Sequence, residues 1–460
     1  MKLKGSMKIE LTDVNTGEVT TVEHDNMMTD AVNNILGLNL LGTLYYFGST
    51  YSNTLNGWMS NLLPICPNLI GGILLFPNTL TEDSGNLYPT SENLPVAYAS
   101  NDANSSTDLQ RGSLSQTEGG ATDDGYQFVW EFTNTQGNGT IAAVALTSAL
   151  GGVGGYGSIA DDSSAFLLMS ALNQSLDDDI TKLLFNAVEV DFENDTVISI
   201  AFSSSSVIIT KFRIPILSIG LKEKLDDSTA DIIETHTITC TTFLPSSTYH
   251  TFVDGHDGYW YGFGNSANSS GSATLLWIKI SKTDYTYTEA SFTLSNAAMT
   301  YAGYRSYSGY PSYRNKCVVR DGYVYIPSYD AAGIYKINLS NSADVTLISL
   351  GYTSAGYSLS GGSYGLFLDR IEDVIIGYDF QILADDTVVQ TVGSKRFEYS
   401  GTPMFRYKNF LLFWGGEYSI TKRYLALLTP YLATINNLDT AVVKTSDMTM
   451  KITYTLTETT

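Results

Sequence analysis

The chain of 460 residues has little charge of any kind, few basic residues, few cysteines and few histidines, and each scarcity removes a class of function. Only 25 Lys and Arg stand against 47 Asp and Glu, a formal charge of -22. A protein that neutralises phosphates needs clustered cations, and this one repels polyanions at long range, so nucleic acid is not an expected partner. The three cysteines, Cys66, Cys240 and Cys317, are too few and too far apart for a disulfide framework or a paired-cysteine metal knuckle. No metal and no cofactor is expected. The four histidines, His24, His236, His250 and His256, occur in no HExxH pattern, and neither a GxSxG elbow nor a GxxxxGK[ST] loop is present, so the chain reads as a non-enzyme. Long apolar runs are also missing. The most apolar stretch, Leu62 to Pro77, is broken by Pro64, Pro67 and Asn68 and is too short to cross a bilayer. The opening MKLKGSMKIE runs into an alternating strand pattern instead of a secretory h-region.

What is present is a core and the chemistry of strands. With 43% apolar residues and a mean hydropathy of -0.01, the chain has enough hydrophobic material to fold. Thirty-one Tyr among abundant Ser, Thr and Asn, at only 16% charged residues, favour strands and turns over surface helices. Ile9, Leu11 and Val14, the turn Asn15-Thr16-Gly17, then Val19 and Val22 read as a hairpin. At the other end Met448, Met450, Ile452, Tyr454 and Leu456 alternate strictly with polar residues, so one face of that strand is buried. The N-terminal hairpin is its expected partner, which brings both termini into one discontinuous domain. A helix is expected over Asn26 to Gly42, with Asp25 or Asn26 as cap. Turn-rich loops fill Asn78 to Gly125, and a hairpin is expected from Tyr126–Phe132 through Asn134–Gly139 to Ile141–Thr147.

From about Val188 the text repeats: an acidic or Asn-containing turn, a short aromatic strand, a Ser/Gly loop, a second strand. The five turns are Glu193-Asn194-Asp195, Asp257-Gly258, Asp321-Gly322, Glu372-Asp373 and Lys408-Asn409, and successive ones are 62, 64, 52 and 36 residues apart, counted from Asp195, Asp257, Asp321, Asp373 and Asn409. Such spacing suits four short strands per unit, the size of a propeller blade. Units two and three agree in detail, LLWIKISKTDY against GIYKINLSNSAD. A large irregular β-sandwich also produces recurrent DG hairpins, and stays open as the alternative.

Several stretches carry a resemblance. KIELTDVNTGEV, GYQFVWEFTNTQGNGTIAAVALTSALGG (Gly125 to Gly152), ITKFRIPILSIGL (Ile209 to Leu221), YLATINNLDTAVVKTSDMTMKITYTLTE (Tyr431 to Glu458) and DGYWYGFGNSANSSGSATLLWIKIS resemble minor structural proteins of tailed bacteriophages infecting Gram-positive hosts. The resemblance implies a virion component of tail, tail-tip or fibre type, assembled in the host cytoplasm, with other virion proteins as partners and host contact as its role. It carries no catalytic motif and no functional residues.

Candidate sites are few. Gly152 to Gly157 (GVGGYG) matches GxGxxG, but no crossover helix follows, and a flexible turn is the favoured reading over a nucleotide loop. Asp254-Gly255-His256-Asp257 has oxygens for a cation, though a solvated turn accounts for it more simply. With 47 acids, carboxylate pairs able to cleave glycosides arise by chance, and runs such as Asp177-Asp178-Asp179 and Asp226-Asp227 read as charged loops; a polysaccharide-degrading enzyme remains a lesser alternative. The segment Tyr301-Ala-Gly-Tyr304-Arg305-Ser-Tyr307-Ser-Gly-Tyr310-Pro-Ser-Tyr313-Arg314 fits neither strand nor buried helix. It reads as a loop displaying aromatics in the most basic window of an acidic chain, suited to host cell-wall polysaccharide, with packing in a subunit interface or over the propeller face as the equal alternative.

The sequence therefore predicts a mainly β protein: a β-sandwich-like base, 1–185 with 432–460, and an inserted, irregular β-propeller-like domain of about five blades, 186–431. The expected function is a homo-oligomeric, non-enzymatic virion protein of tail or fibre type with Tyr301, Tyr304, Arg305, Tyr307, Tyr310, Tyr313 and Arg314 as receptor-binding residues. A collar or head appendage without a receptor is the alternative.

Overall fold

A computed structural model of the chain describes residues 2–32, 65–90, 92–154, 166–170, 186–191, 194, 196–213, 231–245, 250–265, 273–294, 317–328, 333–351, 368–377, 380–390, 402–407, 410–414, 422–427 and 430–459. The fold is mainly β, built from four- to six-stranded antiparallel sheets. Nine strands come first: β1 (Lys2–Asp13), β2 (Val19–Asp25), β3 (Met27–Met28), β4 (Gly72–Phe76), β5 (Ala97–Ala99), β6 (Ser113–Leu114), β7 (Gly120–Ala121), β8 (Gly125–Phe132) and β9 (Gly139–Thr147). Short helical turns α1 (Ile65–Leu69) and α2 (Gly151–Gly154) flank β4 and follow β9. At the C-terminus β30 (Thr434–Lys444) and β31 (Met448–Thr459) return to the same region.

These terminal strands form two sheets. One has the order β2-β1-β31-β8-β6, with β7 also on β8, and the other β3-β30-β9-β4-β5. The last strand lies between the first strand and β8, with Ile9 opposite Ile452 and Trp130 opposite Ile452 on the other side. Alternation dictates this: Met450, Ile452, Tyr454 and Leu456 are buried while their neighbours are half-exposed, so one face points inward along the whole strand. That face meets Ile73 and Leu75 of β4 and Val144 and Leu146 of β9 in one apolar core.

Two local expectations are corrected here. β8 and β9 do not form a hairpin. β9 is buried on both faces from Ile141 to Leu146, so it takes a central place between β30 and β4, and the chain crosses from one sheet to the other at residues 133–138. Nor does a helix start at Asn26: residues 27–28 are a strand on β30, and helix begins only at 30–32, the remainder of the expected helix lying outside the described residues. Asn26 is not a cap. Its Oδ1 accepts from Gly5 N at 2.7 Å and its Nδ2 donates to Tyr454 Oη at 2.7 Å, tying the two chain ends together.

Between these ends the described residues form five four-stranded antiparallel sheets. Four are meanders of consecutive strands: β11 (Ala187–Asp191), β12 (Thr196–Ser203), β13 (Ser206–Arg213), β14 (Asp231–Thr239); β15 (His250–Asp254), β16 (Tyr259–Gly264), β17 (Thr274–Ser281), β18 (Tyr287–Thr293); β19 (Val318–Arg320), β20 (Tyr323–Pro327), β21 (Gly333–Asn338), β22 (Val345–Ser349); β23 (Asp369–Ile371), β24 (Val374–Ile376), β25 (Phe380–Ile382), β26 (Val388–Gln390). The fifth joins β27 (Thr402–Tyr407), β28 (Phe410–Trp414) and β29 (Lys422–Leu427) to β10 (Phe166–Ser170). β10 falls inside the segment 1–185 that the sequence assigns to the base, yet it pairs with β29, Phe166 opposite Ala426.

Three of the repeated turns, Asp257-Gly258, Asp321-Gly322 and Glu372-Asp373, join the first and second strands of a sheet, and the other two lie wholly or partly outside the described residues. Asp321 and Gly322 both have positive φ, 53° and 78°, between the paired residues Arg320 and Tyr323. That is a type I′ turn, which the Asp-Gly pair accommodates at little steric cost. The first four of these sheets pack face on face in succession. In β17, Leu276, Ile278 and Ile280 face the first sheet's Ile200 and Ile209, whereas Leu275 and Trp277 face the third sheet's Val319 and Ile326. A strand covered on both sides needs no polar alternation, which explains TLLWIKIS. The fourth sheet in turn places Val374, Ile376 and Leu383 in the core of the terminal sheets.

Candidate functional site

The seven residues singled out for receptor binding, between Tyr301 and Arg314, lie outside the described residues. Their flanks are the end of β18 and the buried Cys317 before β19, so the segment links the second and third sheets. Asp177 to Asp179 and Asp226 to Asp227 also lie outside.

The first strands of the inner sheets lie side by side, β15 next to both β11 and β19, and β11 also next to β27. A cavity of about 190 Å³ opens among β11, β15, β19 and β23, lined by Glu189, Asp254, His256, Cys317, Asp369 and Arg370 among others. Its charges are engaged by the protein itself. Lys282 Nζ sits 2.8 Å from both Glu189 Oε2 and Asp254 Oδ2. Trp260 Nε1 donates to the same Glu189 oxygen at 3.1 Å. Burial alone would lower the Lys282 ammonium, but the two carboxylates outweigh it and hold it above its ordinary value. Arg370 donates to the carbonyls of Val319 at 3.1 Å and of Glu372.

The Asp254-Gly255-His256-Asp257 cluster is similarly occupied. Asp254 Oδ1 accepts from His256 N at 2.8 Å; Asp257 Oδ1 accepts from Tyr259 N at 3.2 Å and Oδ2 from Tyr261 Oη at 2.7 Å. Each carboxylate oxygen has a protein donor. Among the described residues no group of three His, Cys, Asp or Glu is placed to hold a metal ion. Of the GxGxxG match, Gly152 to Gly154 lie in the helical turn Gly151–Gly154, where a Cβ on Gly152 would lie 2.1 Å from the Ala99 carbonyl oxygen, and residues 155–157 lie outside the described residues. That glycine serves backbone packing.

A feature that the sequence reading missed is a repeated pairing of tyrosines and lysine. In the second sheet, Lys279 of β17 lies with Nζ 3.8 Å from the Tyr259 ring centre and 5.5 Å from that of Tyr261. In the third sheet, Lys336 of β21 lies 4.5 Å from Tyr323 and 5.8 Å from Tyr325. The registers agree, Tyr261 opposite Lys279 and Tyr325 opposite Lys336. Lys336 additionally meets Asp386 Oδ2 of the fourth sheet at 2.6 Å. Its ammonium is held above the ordinary value, Asp386 outweighing desolvation. The signal was legible: YWY and YVY each precede a strand with one central Lys.

No family model and no curated protein matches the chain. Solved structures with some likeness include AztD from Citrobacter koseri in its apo form, at 10% identity over 70% of this chain and 62% of that one, TM-score 0.23. This chain thus matches less than two thirds of AztD's length. The AfRom2 CNH domain is 10% identical over 82% of this chain and 98% of that one, TM-score 0.20, and the polysaccharide lyase Uly1 9% identical over 81% and 100%, TM-score 0.18. Likeness at that level assigns neither fold nor activity.

Proposed function

We propose that the chain is a non-enzymatic structural protein of a tailed-bacteriophage virion, a tail or fibre component that contributes to attachment to a Gram-positive host. In this reading both chain ends make a β-sandwich base that joins other virion proteins in a homo-oligomer. The inserted region is an irregular five-bladed β-propeller that projects outward, with the Tyr301 to Tyr313 segment as its receptor-contacting loop. The resemblance of the terminal stretches to phage structural proteins motivates the assignment.

The observation that carries the architecture is β10. It completes the fifth sheet from a point in the chain ahead of the other four, as a ring closed by strand exchange between its two ends requires. Face-to-face packing of successive sheets, and the cavity among their first strands, fit the same ring. Against an enzyme stands the state of the cavity carboxylates: Glu189 and Asp254 are both engaged by Lys282.

The test is adsorption. Replacing Tyr304, Tyr307 and Tyr310 together by Ala should lower adsorption of phage or isolated protein to host cells while particles still assemble, because weak contacts multiplied over copies set the total. Failed assembly with normal adsorption of surviving particles would move the loop to an interface and overturn the adhesin reading. Antibody labelling of the particle locates the protein, and absence of reducing-sugar release from host wall polymer is the expected enzymatic result.

A further inference from the structure

The second and third sheets carry the same cradle, a lysine laid across two tyrosines, but only the third has its anion. There Asp386, reaching over from the fourth sheet, sits 2.6 Å from Lys336 Nζ. The cradle of the second sheet has no such carboxylate: among the described residues Lys279 makes no ion pair, and its ammonium rests only on the rings of Tyr259 and Tyr261. The nearby Asp257 is already bound by Tyr259 N and Tyr261 Oη. Lys279 is half-buried and Tyr259 is 36% exposed, so the site is open to solvent.

We infer that the Tyr259–Lys279–Tyr261 cradle binds a carboxylate or phosphate group of a host surface polymer, in the position that Asp386 occupies against Lys336. This rests on the attachment reading above and gives it a second contact. An ammonium fixed over an aromatic face loses little side-chain freedom on binding, and it keeps its donors for an anion approaching from outside. The internal comparison defines the ligand: an anionic oxygen at hydrogen-bond distance from Nζ, as in the third sheet. The cradle lies by the Asp257-Gly258 turn, since Lys279 is near the end of β17 that pairs with the start of β18, whereas the chain leaves for residues 295–316 from the opposite end of that sheet. Variants at the two places therefore report separately.

The full chain is titrated with inorganic phosphate, with glucuronate and with neutral methyl glucoside, followed by phosphorus line broadening and saturation-transfer NMR. Binding of at least one anion, and none of the glucoside, is expected; which anion binds tells a phosphate-bearing from a uronate-bearing polymer. Lys279→Met should weaken it about tenfold with the melting temperature unchanged. Tyr259→Phe should keep binding and Tyr259→Ala should weaken it, because the ring positions the lysine. Asp386→Asn should add a second equivalent of bound anion; where that variant is less stable, Lys279→Met alone decides. Equal binding by Lys279→Met and the parent, or no anion binding at all, overturns the site. Protection of Lys279 from amine labelling in assembled particles also overturns it, by giving the cradle to an acidic segment of a virion protein. Probe binding through Lys279 without any host adsorption keeps the site and removes the attachment reading; adsorption without probe binding does the reverse.

Discussion

Arg320 Nη2 and Asp386 Oδ1 lie 2.9 Å apart across the boundary between the third and fourth sheets, and the arginine side chain is 1% exposed. Arg320 also donates to the carbonyls of Asp373 at 2.7 Å and Ile382 at 3.1 Å, and to Tyr325 Oη at 3.0 Å. A buried guanidinium is tolerable only with its partners in place. Asp386→Ala should therefore cost about 3 kcal/mol in urea unfolding, because it strands both Arg320 and Lys336. A loss below about 1 kcal/mol would mean that the carbonyls suffice.

Glu289 of β18 grips the end of the first sheet. Its carboxylate accepts from Phe243 N at 2.7 Å, Thr241 Oγ1 at 2.7 Å, Thr241 N at 2.8 Å and Thr242 N at 3.0 Å. Burial pushes this carboxyl up, but those donors outweigh burial and hold it below the usual range. A depressed folded-state value gives stability that is present above the unfolded value, about 4.3, and is lost as pH falls through the folded one. Melting temperatures from pH 6 down to pH 3 should fall less steeply in Glu289→Gln than in the parent. Parallel curves would show that the carboxylate's charge is immaterial.

Lys444 is a buried cation, 1% exposed, with no carboxylate partner among the described residues, donating to Thr133 O and Asn138 Oδ1 at 2.8 Å each. Burial pushes its ammonium down to about 8. Between about pH 8 and 10.5 the unfolded chain binds the proton that the folded chain has released, so stability should rise with pH across that window. Lys444→Met should flatten this rise in chemical denaturation series. A slope unchanged by the substitution would assign it to other groups.

Tyr454 Oη receives from Asn26 Nδ2 and donates to Thr434 Oγ1 at 2.8 Å, joining the first, penultimate and last segments of the terminal sheets. Tyr454→Phe should cost about 1 kcal/mol by removing the hydroxyl that the Asn26 amide and the Thr434 hydroxyl share. The strand itself matters more. Deleting residues 448–459 should prevent the terminal sheets from folding, as β31 lies between β1 and β8 and joins them; soluble, cooperatively melting protein after that deletion would contradict this.

What could be read in advance was local. Asp321-Gly322 announces a I′ turn because few other residues accept two positive φ values in succession, and Met448 to Leu456 announces a half-buried strand because a pleat has period two. Partners were less legible. The alternation of Tyr126 to Phe132 is real, but it does not say whether the neighbour is β9 or, as found, β31. Asn26 has the composition of a helix cap, and only the long-range approach of Tyr454 reveals its use. For the second-sheet cradle the YWY strand and the single Lys of the next strand are legible, but that Tyr259 and Lys279 meet follows only from the register of β16 with β17.

The pairing of Phe166 with Ala426 has a mechanical meaning. Phe166 begins the first strand of the inserted sheets and Ala426 lies near the end of the last, so the described ends of the insert stand about 5 Å apart, one strand spacing. A pull between the terminal sheets and the insert is then shared by two neighbouring strands loaded in the same sense, with no tendency to slide or peel them from each other. Two anchor points also resist twisting where one would swivel, and Val374, Ile376 and Leu383 seated in the terminal core oppose tilting. The insert is mounted as a bracket is mounted, held at two adjacent strands and braced by the fourth sheet.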